Sequence, residues 1–342
     1  MGILGWFKNR PDHFDPDRVT DEMRRWAIDK AITLTNPRLK LLSSCEKQLA
    51  PAVDTTIDYL RSLVPALPAV RPLSAASWAA DPALRAFFVK PADIEDVLAR
   101  SDNLHTLFAK HPEFDAAYAV LGMAMVEQQV FGLAMRGETI QRDVAQRSVS
   151  FSDHKTRLCG EDEARLRKVV GIEIFEYLLG QAMAEMGAER AERQELQGNA
   201  SLIRSRLRLL QQYGPGLGSL FGEAPAGREE QQRLEAELQE NEKQLAAIGA
   251  GESALENELD CLKAVLENPQ KYLRITPRRL RLNTMNLLID ETSDEVGADI
   301  EFAVAEAGAD ASVHRAFIIT RIARSDLPPP KAMNYRDALL YI

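Results

Sequence analysis

Residues 175–207, FEYLLGQAMAEMGAERAERQELQGNASLIRSRL, and residues 234–266, LEAELQENEKQLAAIGAGESALENELDCLKAVL, decide the fold. In the second stretch, positions at alternating steps of four and three are apolar in eight of ten cases. The first stretch carries a mirrored series in which the numbers of facing residues add up to 441, so that Leu207 pairs with Leu234. An antiparallel coiled coil needs such a seam, because each seam residue must enter a hole on the facing helix. Residues 164–270 are therefore predicted to form an antiparallel coiled-coil hairpin about 60 Å long.

The connection between the two arms is residues 214–227, GPGLGSLFGEAPAG. Its glycines suit a tight reversal, and no Gly-Lys-Ser/Thr follows to make a phosphate loop. Connections between helices need only about 2–8 residues, and residues 214–227 exceed that length. The connection also carries three large apolar residues, Leu217, Leu220 and Phe221. These side chains are expected either to fold back as a cap on the seam or to contact a partner or a lipid interface. Within the second arm, the paired glycines at 249 and 251 predict a bend.

Composition limits the classes of protein to consider. The chain has 342 residues and 45% hydrophobic content, which is enough for two or three domains. Its formal net charge of −9 disfavours nucleic acid as a partner. Cys45, Cys159 and Cys261 are odd in number and far apart, so they predict no disulfide framework and fit a reducing compartment. No apolar run reaches the ~20 residues of a membrane span, and the N-terminus lacks signal-peptide features, so we expect a cytoplasmic protein, with peripheral membrane attachment as the alternative.

Outside the hairpin, the patterns predict an α+β protein: a mainly helical body with a small mixed or antiparallel sheet, from which the coiled-coil hairpin protrudes. The predicted regions are an N-terminal helical region at 1–116, a β-hairpin segment at 117–163, a β-meander at 271–327 that packs with that segment, and a C-terminal tail at 328–342.

Several local expectations refine this outline. Pro51 should kink or split its helix. Residues 117–125 are apolar throughout, and periodicity leaves them open between helix and strand. The β-hairpin is predicted to span 127–151, to turn at Arg136-Gly137 and to end at Ser152-Asp153-His154, and a bulge is expected near Asn283-Thr284. Residues 315–322 are apolar on both faces, which places them in the interior of the sheet.

Two further stretches could contact a surface. Trp6 and Phe7 stand beside basic residues, a mixture that suits a membrane interface or a partner groove, although a terminus packed on its own domain is the alternative. A run of five cations could meet phosphate or lipid headgroups, or could simply form a solvated face. Its members are Lys271, Arg274, Arg278, Arg279 and Arg281.

Reactive side chains form no recognisable motif. Asp153, His154, Cys159 and Glu161 carry metal-ligand atoms within nine residues, but their spacing matches no known site. The five histidines are scattered, and no nucleophile or zinc-protease signature is present. The sequence therefore predicts no catalytic residue, no metal site and no cofactor.

Function is predicted at the level of class. A helical hairpin with an apolar tip is typical of a non-enzymatic scaffold, adaptor or sensor that presents the tip to a protein partner. The first alternative is a peripheral membrane-binding protein that uses Trp6, Phe7 and the tip. The second is an enzyme without a recognisable motif. The sequence does not determine the oligomeric state.

Overall fold

The structure, a computed structural model, describes residues 20–136, 139–213, 224–248, 252–289, 295–308 and 313–331. It shows an α+β protein whose chain divides into two compact units. Of the described residues, those up to Thr56 and those in Tyr177–Asn268 form the first unit, and Ile57–Glu176 and the residues from Pro269 onward form the second. The predicted helical region 1–116 therefore contributes to both units.

The first unit is helical. Thr20 caps its first helix by accepting a hydrogen bond from the Met23 backbone amide at 3.2 Å. Pro51 was expected to kink or split the second helix; it lies within that helix and does not split it. The helices that contribute to this unit are α1 (Asp21–Thr35), the first part of α2 (Cys45–Leu63), the later part of α7 (Glu163–Tyr213), α8 (Ala224–Ile248) and α9 (Glu252–Glu267).

Burial in α7, α8 and α9 follows the period of the predicted seam. Ile203, Leu207 and Leu234 form one apolar cluster, against which Leu210 and Leu238 pack, so α7 and α8 contact each other there. The bend predicted at 249–251 lies outside the described residues. The seam positions of this unit whose side chains are described are all buried or half-buried: Leu179, Ala182, Met186, Glu189, Arg193, Leu196, Ala200, Ile203 and Leu207 in α7, and Leu234, Leu238, Asn241, Leu245, Ile248, Leu255, Leu259, Leu262 and Leu266 in α8 and α9.

The second unit combines short helices with one sheet. Its helices, besides the end of α2 and the start of α7, are α3 (Ala75–Trp78), α4 (Pro82–Phe87), α5 (Pro91–Ala99), α6 (Asp102–Lys110) and α10 (Pro269–Tyr272). Its strands are β1 (Val70–Pro72), β2 (Ala116–Arg136), β3 (Thr139–Gly160), β4 (Leu273–Leu282), β5 (Ala298–Ala307) and β6 (Val313–Ala323).

The sheet joins the early hairpin to the late meander. Its order is β3-β2-β6-β5-β4, with all these neighbours antiparallel, and β1 pairs in parallel with the second half of β6. β6 is therefore an interior strand, as its two apolar faces predict. The sheet is larger than the small one expected, because β2 and β3 have 21 and 22 residues.

The sheet curls so that a short segment after β4 bridges its two outer strands, β3 and β4. After β4 the chain turns at residues 283–286, and residues 287 and 288 form isolated bridges to Ser148 of β3 and Leu282 of β4. The Val149 amide donates to the Asn286 carbonyl at 2.9 Å, and the Leu288 amide donates to the Arg147 carbonyl at 2.8 Å. Part of the outer edge of β3 is covered in this way.

Each face of the curled sheet has its own core. On the inner face, α4, α5 and α6 contact mainly β3 and β5, and their apolar side chains form one core with residues of β2 to β6. Phe87, Phe151 and Phe302 meet there edge to face, with ring centroids 4.8–6.1 Å apart. On the outer face, Leu166 and Val170 of α7 join a smaller cluster with residues of β5 and β6. The alternation of the strands thus places apolar side chains on both faces.

Three local predictions need correction. The hairpin extends well beyond the predicted 127–151 at both ends, because residues 117–125, which periodicity left open, are strand. Ser152-Asp153-His154 does not end β3: a register shift opposite residues 122–124 accommodates the polar residues, and the strand continues to Gly160. No bulge interrupts β4 near Asn283-Thr284; the strand ends at Leu282, and the change of phase comes from the turn, in which Asn286 has φ 57°.

Candidate functional site

The strongest candidate from the sequence, the apolar tip, can be assessed only through the helices that carry it. Trp6, Phe7, Leu217, Leu220 and Phe221 all lie outside the described residues. Helix α7 ends at Tyr213, directly before the predicted connection, but α8 begins at Ala224, so residues 224–227 of the predicted connection are helical. None of the helices among the described residues is long and apolar enough to cross a membrane.

Ion pairs flank the apolar contacts between α7 and α8. Arg204 Nη2 lies 2.7 Å from Glu242 Oε1, and Arg206 Nη2 lies 2.6 Å from Glu230 Oε1. All four side chains are well exposed, so each pair adds little stability, about 0–1 kcal/mol. They place basic residues of α7 against acidic residues of α8.

A buried carboxylate joins three segments of the first unit. Glu258 of α9 is 5% exposed and accepts two hydrogen bonds from Arg190 of α7, both at 2.7 Å. Asn36, which follows α1, donates a third at 2.5 Å. The hydrogen bond from Arg190 lowers the pKa of Glu258, burial opposes this shift, and Asn36 adds to it. The cluster fixes the position of α9 against α7 and the end of α1.

Sequence reasoning missed the Glu258 cluster. Glu258 stands next to the predicted seam residue Leu259 rather than on the seam, and its partners are 68 and 222 positions away in sequence. A heptad pattern carries no information about which flanking acid is buried, so no local signal points to this site.

The basic run, which begins in α10 and continues along β4, is largely matched by nearby acceptors. Arg278 pairs with Glu127 at 3.1 Å and Arg279 with Asp299 at 2.7 Å. Arg281 donates to the Glu295 carbonyl at 3.2 Å, and Arg274 donates to the Gln270 carbonyl at 3.0 Å. Lys271 lies 5.3 Å from the centre of the Tyr272 ring. These contacts are those of a solvated, internally paired face, and they weaken the case for a phosphate or headgroup site.

Of the four potential metal ligands around His154, Asp153 and His154 lie at a bulge in β3, whereas Cys159 lies near the end of the strand and Glu161 follows it. Asp153 has φ 49° and forms ion pairs with Lys155 and Arg315. His154 stacks on Phe88 at 4.3 Å, and its buried Nε2 has no hydrogen-bond partner among the described residues. Burial lowers the pKa of His154, while a hydrogen bond with the Phe87 backbone opposes the shift. The imidazole is therefore neutral near pH 7 and anchors α4 to the sheet.

The chemistry available to these residues is limited. Burial raises the pKa of Cys159 to about 12, which keeps the thiol protonated and unreactive. The described residues contain no cluster of three or more histidine, cysteine, aspartate or glutamate side chains that could hold a metal ion. His154 stacks on Phe88, and Cys159 packs against the core on the inner face of the sheet.

Comparison with known proteins adds no assignment, since no family model, no curated protein and no solved structure matches the chain.

Proposed function

We propose that the protein is a non-enzymatic scaffold or adaptor, in which α7, α8 and α9 form an antiparallel coiled-coil hairpin that presents its tip to a protein partner. The observation that carries the proposal is the periodic burial along α7 and α8, with Ile203, Leu207 and Leu234 in one cluster. Helices that bury one stripe against each other leave their remaining faces and their connecting segment available for contacts.

The tip is the best place for the partner to bind. Residues 214–223 contain Leu217, Leu220 and Phe221, and α7 and α8 end on either side of them. Burying a side chain of this size in a partner contributes on the order of 1.5–3 kcal/mol, so two or three of them can supply most of the affinity of a modest interface.

A paired substitution tests this function. Leu220→Ser with Phe221→Ser should leave the melting temperature unchanged and abolish capture of the native partner by the tagged full chain, as measured by mass spectrometry. The matched control is Leu202→Ser with Leu209→Ser. These leucines are 70% and 53% exposed, and they lie within α7, outside the connecting segment. The control should retain capture.

Other outcomes separate the alternatives. A lower melting temperature with retained capture would mean that Leu220 and Phe221 only cap the seam. Loss of co-sedimentation with phosphatidylserine-containing liposomes, with no change in protein capture, would support the peripheral membrane alternative and contradict the adaptor.

A further inference from the structure

We propose that the outer edge of β2 beyond Met123 pairs with the same edge of a second copy of this chain, antiparallel and about a two-fold axis, to form a homodimer. The inference concerns the sheet of the second unit and does not depend on the function proposed for the helical hairpin.

The first observation is that this edge is open. β2 pairs with β3 from Tyr118 to Arg136, but on its other side it pairs with β6 only from Ala116 to Met123. Among the described residues, no strand pairs with that side of residues 124–136. A row of backbone amides and carbonyls without partners is a template for another strand, and a two-stranded ribbon is only marginally stable alone.

The second observation is a contrast between the two edges of the ribbon. The β3 edge has features that discourage pairing: Arg142 and Arg147, the left-handed Asp143 at φ 59°, and the bridge from Ser148 to residue 287. Residues 128–135 of β2, QQVFGLAM, contain no charge and no proline, and Phe131 is 70% exposed. Of the two edges of the β2–β3 ribbon, the β2 edge is therefore the one suited to the addition of a strand.

A second copy fits this edge better than a charged peptide. In antiparallel pairing about a two-fold axis, one residue faces its own symmetry mate, and Phe131 lies next to the centre of the uncharged stretch. With Phe131 on the axis, Val130 faces Gly132 and Gln128 faces Ala134, so no charge lies within the paired segment. Parallel in-register pairing would instead set Glu127 against Glu127 and Arg136 against Arg136 at the ends of the segment, which like-charge repulsion disfavours.

The test is the mass of the full chain in solution. Sedimentation velocity at micromolar concentration should give twice the 38.1 kDa of one chain. Phe131→Lys should convert this species to monomer, because it places two like charges at the axis. The matched control, Ala145→Lys, adds the same charge to the residue opposite Phe131 on the protected strand and should leave the dimer intact. Circular dichroism checks that both variants fold.

A crosslink keeps the proposal testable if Phe131→Lys fails to fold. Facing residues of antiparallel strands have Cα atoms about 4.5–5.5 Å apart, a spacing that a disulfide can bridge. Phe131→Cys should therefore form a disulfide between chains under mild oxidation, and Ala145→Cys should not. A wild-type monomer, a dimer that Phe131→Lys leaves intact, or equal crosslinking of the two cysteine variants would overturn the inference.

Discussion

Glu258 illustrates how a single side chain can position helices that are far apart in sequence. Its carboxylate is buried, yet three hydrogen bonds from Arg190 and Asn36 satisfy it. A buried carboxylate is tolerated when its oxygens are paired in this way. The charged form is thus the stable one in the folded protein, which agrees with the direction of its pKa shift.

Replacing this carboxylate should destabilise the first unit. Glu258→Gln removes the charge from hydrogen bonds with Arg190, and we expect the free energy of unfolding at pH 7 to fall by about 1–3 kcal/mol. The matched control is Glu242→Gln, whose partner Arg204 is 51% exposed and whose loss should cost at most about 1 kcal/mol. Urea denaturation measures both, and equal losses would show that burial of Glu258 does not matter.

The same variant has a defined pH dependence. Because the pKa of Glu258 is lower in the folded protein than its ordinary value of 4.5, its stabilisation is complete above that pH. It is lost as the pH falls through the folded pKa. The difference between wild type and Glu258→Gln should therefore be largest near neutral pH and should shrink on acidification below pH 4.5.

At the scale of elements, periodic segments could be predicted and irregular ones could not. The spacing of leucines such as Leu234 and Leu259 identified the buried stripe of the helices, because helical burial repeats every three to four residues. The strand through Asp153 and His154 was missed, since polar residues usually end a strand. The contacts of these two residues with distant segments, Asp153 with Arg315 and His154 with Phe88, are recognisable only in the fold.

The pairing of α7 and α8 can be tested by substituting Asn241. It is a polar seam residue, 8% exposed, and its Oδ1 has no hydrogen-bond partner among the described residues. Such a residue lowers stability but disfavours other registers. Asn241→Leu should raise the free energy of unfolding by about 1–2 kcal/mol and broaden the range of registers, whereas Asn199→Leu on an exposed position should do neither.

Urea denaturation measures the free energy of unfolding. Pulsed electron paramagnetic resonance between spin labels on α7 and α8 measures the distribution of distances, and hence the range of registers. Destabilisation by Asn241→Leu, or an unchanged single distance, would contradict the role given to this asparagine.

For the whole molecule, the sequence indicated an α+β protein but not how its parts are divided. The two units each combine segments that are distant in the chain, so no shift in composition marks their boundaries within α2 and α7. The curling of the sheet could not be predicted either, because it depends on a short stretch at residues 286–289 that bridges β3 and β4 without forming a strand of its own. The predicted tip contacts stay predictions.

The central claim, that α7 and α8 pair within one chain as an antiparallel coiled coil, is tested most directly by a disulfide. Ile203→Cys with Leu238→Cys places two thiols at facing seam positions of the same apolar cluster. The control, Leu202→Cys with Leu238→Cys, moves one thiol to an exposed position beside the seam. We expect rapid crosslinking at the mass of a single chain for the first pair and little for the control. Crosslinks that form only between chains, or equally in both variants, would contradict the hairpin.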